Sequence, residues 1–205
     1  MLKTSVTIVA VALILSAAPS VRATVLYDGS SDATIADRGY LIYGTDDILT
    51  GPPSPVLTYG GGLAHVDSTG ENADSAGFSN HTLTVAFNPG LVLGLAPVNP
   101  AFPALDRHAG YSLRFDARVN GETHASATRA GFSVTVIGDD LMGIEFGFHT
   151  NQVFAQQPNF DDATSEAAAF DTTALTPYRL DVLGGSYGLY EVGNATPILT
   201  GALKD

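Results

Sequence analysis

Three stretches of this chain place their ionisable residues at alternate positions. Arg114, Asp116 and Arg118 alternate along the first, Glu145, Gly147 and His149 along the second, and Arg179 with Asp181 along the third. Residues two apart on a β-strand share a face, so each stretch offers its acids and bases to one side of a sheet. If the strands are neighbours, these groups line a single polar face that can receive a ligand. The alternative is a solvated outer face whose cross-strand ion pairs contribute little each. Glu145 with His149 is also the one arrangement here that offers an acid and a base for proton transfer.

Carboxylates recur in adjacent pairs at Asp46-Asp47, Asp139-Asp140 and Asp161-Asp162. Oxygen-rich loops of this kind suit Ca²⁺, and Asp139, Asp140, Asp161 and Asp162 are the candidate ligands. None lies in a complete EF-hand loop, and acidic pairs in loops serve equally well as turn formers. The five histidines, at 65, 81, 108, 124 and 149, show no His-x-x-x-His spacing, which argues against zinc. His124 with Arg129 reads as a structural brace between a loop and a strand. Gly-x-Ser-x-Gly is absent, and Gly60-Gly-Gly62 opens no phosphate-binding helix. Asn80-His-Thr82 and Asn194-Ala-Thr196 match glycosylation sequons.

The elements that position these residues announce themselves by alternation. Leu113, Phe115, Ala117 and Val119 share a face, as do Phe132, Val134 and Val136, and Ile144, Phe146 and Phe148. Each such side chain, fully buried, contributes roughly 1.5–3 kcal/mol, so these strands dominate the expected core. Gly184-Gly185 separates the runs Arg179–Leu183 and Tyr187–Val192 as a hairpin turn, and Asn120-Gly121 and Gly138-Asp-Asp140 also read as turns. Earlier in the chain, Thr24–Asp28, Gly39–Tyr43, Val56–Tyr59, Gly62–Asp67 and His81–Phe87 read as strands. Pro89, Pro97, Pro100 and Pro103 mark a long irregular connection. Thr164–Phe170 is open to either a helical turn or a short strand.

Composition bounds the rest. Lys3, an apolar run from Val6 to Ala18, and Val21 and Ala23 at the cleavage positions describe a secretory signal peptide over residues 1–23. The apolar run is shorter than the roughly 20 residues of a spanning helix, so residues 24–205 are expected as one exported domain with no membrane span. Loss of Lys3 and Arg22 leaves seven basic residues against 21 acidic ones, a formal charge of −14. So acidic a chain lacks the basic footprint that nucleic acid requires. With no cysteine there is no disulfide framework and no thiolate chemistry. The fold must stand on its hydrophobic core, and about 180 residues suffice for that.

The segments Leu113-Arg-Phe-Asp-Ala-Arg-Val119, Arg129-Ala-Gly-Phe-Ser-Val-Thr-Val-Ile-Gly138 and Gly143-Ile-Glu-Phe-Gly-Phe148, with the closing hairpin Tyr178–Tyr190, resemble the concanavalin A-like (laminin-G/lectin-like) jelly roll. With His124-Ala-Ser126 and Ala169-Phe-Asp-Thr-Thr173 they also look like a group of bacterial exported surface domains, often sorted by a PEP-CTERM anchor read by exosortase. The resemblance implies an all-β, antiparallel two-sheet jelly-roll sandwich, strongest over residues 111–205. Such domains continue with at least one more strand beyond Gly201-Ala-Leu-Lys-Asp205, so it also implies a sandwich truncated at its C-terminal strand.

A lectin-like sandwich holds sugars on a polar sheet face and Ca²⁺ in a loop beside it. The resemblance therefore implies a non-catalytic cell-surface or extracellular module binding a glycan or matrix partner. The candidate ligand face is Arg114, Asp116, Arg118, Glu145, His149, Arg179 and Asp181. Two readings stand beside it, a glycoside hydrolase or lyase using Glu145 and His149 and a purely structural matrix protein. Retaining glycoside hydrolysis needs two carboxyl groups about 5–5.5 Å apart, and Gly147 and His149 stand where the second would be.

Overall fold

The computed structural model describes residues 23–27, 35–44, 56–67, 76–87, 91–124, 127–128, 131–157 and 166–204. Residues 1–22 of the expected signal peptide lie outside the described residues, as do Asp46, Asp47, Arg129, Asp161 and Asp162. The first strands are β1 (Leu41–Gly44), β2 (Val56–Gly60), β3 (Leu63–Asp67), β4 (Ala76–Ser79), β5 (His81–Phe87) and β6 (Leu91–Pro97). They form three two-stranded antiparallel ribbons, β1 with β4, β2 with β3 and β5 with β6. The β2–β3 turn uses Gly61 and Gly62, both at positive φ, as a two-residue hairpin loop of type I′ requires.

Two expectations change in this half. Residues 24–27 join no ladder, because apolar and β-branched residues make a strand only beside a hydrogen-bonding neighbour. The stretch read as irregular contains β6, which pairs with β5 from His81↔Pro97 to Phe87↔Leu91. Its run Leu-Val-Leu-Gly-Leu-Ala does not alternate, so it gives no two-residue period to detect.

The second half builds a two-sheet antiparallel β-sandwich. Its strands begin with β7 (Tyr111–Ala117), β8 (Phe132–Ile137), β9 (Gly143–His149) and β10 (Gln152–Ala155). They continue with β11 (Ala167–Ala169), β12 (Thr176–Leu183), β13 (Ser186–Glu191) and β14 (Leu199–Ala202). The back sheet is the meander β11-β10-β9-β8, and the front sheet has the order β14-β13-β12-β7. The chain thus leaves the front sheet after β7, lays down the whole back sheet, and returns at β12 to pair with β7. Within the stretch 164–170, ambiguous in sequence, Ala167–Ala169 form the edge strand β11.

Alternation decides what lies between the sheets. Val136, Ile144, Phe146, Phe148, Val153 and Ala155 face inward from the back sheet, and Tyr178, Leu180, Val182, Tyr187, Leu189 and Leu199 from the front. Phe146 meets Tyr187 edge-on at 5.3 Å between ring centres, and Phe148 meets Tyr178 in the same way at 5.5 Å. Edge-to-face contacts set the positive ring edge against the negative face, which adds to the area they bury.

One flank of the sandwich is tied shut. Beyond β14 the chain crosses to the back sheet, where Lys204 and Gly143 exchange backbone hydrogen bonds of 2.8 and 2.7 Å. There the Lys204 ammonium donates to Glu166 at 2.7 Å, and the Tyr187 hydroxyl donates to the other carboxylate oxygen at 2.7 Å. Burial and this carboxylate both hold the Tyr187 hydroxyl firmly protonated. Phe146, fully buried at the centre of these contacts, is the position most sensitive to truncation. Phe146→Ala is expected to lower the unfolding free energy by about 3–5 kcal/mol in urea titration. Leu183→Ala, at a side chain left 68% exposed, should shift it by less than about 0.5 kcal/mol.

Candidate functional site

The candidate residues divide between the two outer surfaces of the sandwich. Arg114, Asp116, Arg179 and Asp181 stand on neighbouring strands of the front sheet. Arg118 follows β7 in the same alternation and is exposed. Glu145 and His149 belong to β9 and point out from the back sheet, on the opposite side of the core. The seven therefore do not converge on one site; five share one face and two share the other.

On the front face Arg179 is the hub. Its Nε–H donates to Asp181 Oδ2 at 3.0 Å, and its guanidinium carbon lies 4.5 Å from the centre of the Tyr190 ring. Tyr190 is the direct cross-strand partner of Arg179 on β13, so the register itself delivers the cation to the ring. The ring is held down over Gly188, where a Cβ atom would come within 2.8 Å of it. Asp181 is engaged on its other oxygen too, by the Ser112 hydroxyl at 2.7 Å. On the far side of Arg179 the register places Arg114, and Asp116 stands opposite Pro177. The front face is thus a row of donors, acceptors and one aromatic ring on three adjacent strands. Tyr190, Ser112 and Gly188 have no signal of their own in the sequence, because only register shows which residues stand beside Arg179.

The back face is covered. Phe154 points outward from β10, yet it is buried, and its ring lies across Gly147 so closely that a Cβ there would fall 2.3 Å from Cζ. His149 is 5% exposed and stacks on His124, with ring centres 3.9 Å apart and planes within 8° of parallel. His124 Nδ1 lies 2.6 Å from Glu122 Oε2, and the Thr150 N–H donates to Glu122 Oε1 at 3.4 Å. Gly131 leaves the room that the Glu122 side chain fills. Glu122 and His124, which follow β7, therefore lie on the outside of the back sheet and clasp His149. The expected partner Arg129 lies outside the described residues; those seen for His124 are Glu122 and His149. No periodicity marks Glu122-Thr-His124, so sequence reasoning passed over the carboxylate.

Chemically the clasp keeps Glu122 ionised. Burial opposes the charge on Glu122, but the His124 hydrogen bond, the Thr150 amide and the two imidazoles together pull its carboxyl below the usual range. Stacked rings set their nitrogens in parallel planes and cannot converge on one ion. Among the described residues no group of three His, Asp or Glu side chains is placed to hold a metal. Glu145 pairs with Thr135 on β8, and its backbone carbonyl accepts from the Gln156 amide beside β10. Neither neighbour brings it a second carboxylate.

The Asp139-Asp140 pair lies in the turn between β8 and β9. Asp140 Oδ2 accepts from Arg107 Nε at 2.6 Å and Oδ1 from the Met142 amide at 3.3 Å, which lowers its carboxyl pKa. Both oxygens thus brace the turn against the approach to β7. Asp139 engages through its backbone, donating to Leu105 O at 3.2 Å.

No family model, curated protein or solved structure matches this chain. Among the described residues no helix is long and apolar enough to cross a membrane.

Glu122 sets the expected acid response of the clasp. Its pKa is lower folded than unfolded, so its stabilisation is present above the ordinary carboxylate range and is lost as pH falls through the folded value. Glu122→Gln should remove that part of the acid dependence, flattening the stability curve below about pH 4.5. Urea midpoints measured from pH 3 to pH 7 check this, and an unchanged acid slope would contradict it.

Proposed function

We propose that this chain is an exported, non-catalytic β-sandwich module that binds a glycan through the outer face of its front sheet. The observation that carries the reading is the Arg179 guanidinium held between Asp181 and the Tyr190 ring, with Ser112, Arg114 and Asp116 beside it. Sugars present hydroxyl groups around a ring with apolar C–H faces. A rigid sheet carrying fixed donors, fixed carboxylate acceptors and a tyrosine suits both. The packed core keeps this face in place without rearrangement, so little ordering cost falls on the binding step.

Export rests on the charge and length pattern of residues 1–23 and on the resemblance of residues 111–205 to lectin-like surface domains. Those domains take Ca²⁺ in loops, and Asp139, Asp140, Asp161 and Asp162 are the candidate ligands here. Binding is favoured over hydrolysis because Glu145 has no carboxylate neighbour in its register and its face is covered by Phe154 and His124.

A glycan array probed with the purified protein, with and without Ca²⁺, tests the proposal. Saturable binding is expected, and Arg179→Ala should weaken it about tenfold or more, the scale of one lost charge-assisted contact. Binding untouched by Arg179→Ala would move the site elsewhere. Absence of binding under both conditions would leave a structural matrix role.

A further inference from the structure

The front face contains a charge arrangement that folding does not require. Arg114 and Arg179 are direct cross-strand partners, and like charges directly opposite destabilise an antiparallel pair. Arg179 is compensated by Asp181 and Tyr190. Arg114 is exposed, and no described residue gives its guanidinium a hydrogen bond or an ion pair. Arg118 adds a third guanidinium in the same alternation, against Asp116 and Asp181 as the carboxylates of β7 and β12 on this face. Three guanidinium groups thus stand against two carboxylates along β7, its following residue and β12, in a chain whose formal charge is −12. With only nine Lys and Arg residues in the sequence, three gathered on one face are a concentration of a scarce residue.

We infer that Arg114 and Arg179 form an anion subsite, and that the glycan this face takes is an acidic one bearing carboxylate or sulfate groups. This deepens the glycan-binding reading and rests on it. A guanidinium presents paired N–H donors whose fork matches a carboxylate or a sulfate edge. Arg179 is already oriented by Asp181 and the tyrosine ring, while Arg114 keeps its fork free. An anion between them replaces a repulsive pair with two attractive ones. Asp116, one step along β7, accepts hydroxyl groups from the uncharged part of the sugar. The acidic remainder of the protein repels anionic polymers, which confines their approach to this patch.

The test compares immobilised polygalacturonate, dextran sulfate and neutral dextran, each with the purified protein at low and physiological salt. Retention by either acidic polymer and not by dextran is expected, weakening as salt rises. Polygalacturonate alone would assign a carboxylate, dextran sulfate alone a sulfate, and both a general anion site. Arg114→Ala should weaken retention roughly tenfold with the urea midpoint unchanged or raised, because a like-charge pair is relieved. Arg107→Ala removes the same charge from the approach to β7, where Arg107 pairs with Asp140, and should leave retention intact. Equal loss in both variants would mean that net charge alone acts and would overturn the subsite. Dextran bound as well as the acidic polymers would overturn the anion inference and leave glycan binding standing. No retention on any of the three, together with a silent array, would remove both.

Discussion

Everything in the sandwich depends on β9 being covered on both sides. Its inner residues Ile144, Phe146 and Phe148 fill the space between the sheets. Its outer side is closed at Gly147 by Phe154 and at His149 by His124. A strand in the middle of such a layer has no solvent to fall back on. Every polar group on it needs a partner, because an unpaired buried group costs about as much as a lost hydrogen bond or more. The Thr172 hydroxyl donating to the His149 carbonyl, and the Lys204 backbone pairing with Gly143, answer that need at the two ends of the strand. Glycine at 147 is the other half of the constraint, since any Cβ there would occupy the space of the Phe154 ring.

The front sheet is built on the opposite principle. Its inner side is as apolar as that of the back sheet, but its outer side is left to charged groups. β7 ends the front sheet, and β8 ends the back sheet. Between them in the chain, Glu122 and His124 are spent on the back surface. One surface is consequently committed to packing and the other remains available for contact.

Much of this was legible in the sequence. Alternation identified β7, β8, β9 and β12, and Gly184-Gly185 identified the β12–β13 hairpin, where Gly184 takes the positive φ that its turn needs. Alternation states that a residue points away from the core of its own sheet. It is silent on which sheet that is, and so Glu145 and His149 separated from Arg114 and Asp181. It also equates outward with wet, which fails at His149 because a loop folds over it. Short edge strands such as β11 depend on a neighbour for their existence. The stack of His124 on His149 is invisible to any local pattern, since it joins a loop to a strand through tertiary packing.

The pairing of β7 with β12 has a kinetic meaning. Ser112 and Asp181 bond across 69 positions of the chain, and the whole back sheet is laid down between them. The front sheet cannot zip until that intervening length has been brought to order, so the entropy of closing a long loop falls before any ladder rewards it. Topologies of this kind fold in milliseconds to seconds rather than microseconds. During that interval β7 carries a half-apolar face and two unpaired edges. Ser112, Arg114, Asp116 and Arg118 make its other face polar and charged, which discourages premature pairing with a second chain. The same charges that mark the outer face of the finished sheet thus also guard the strand before it has found its partner.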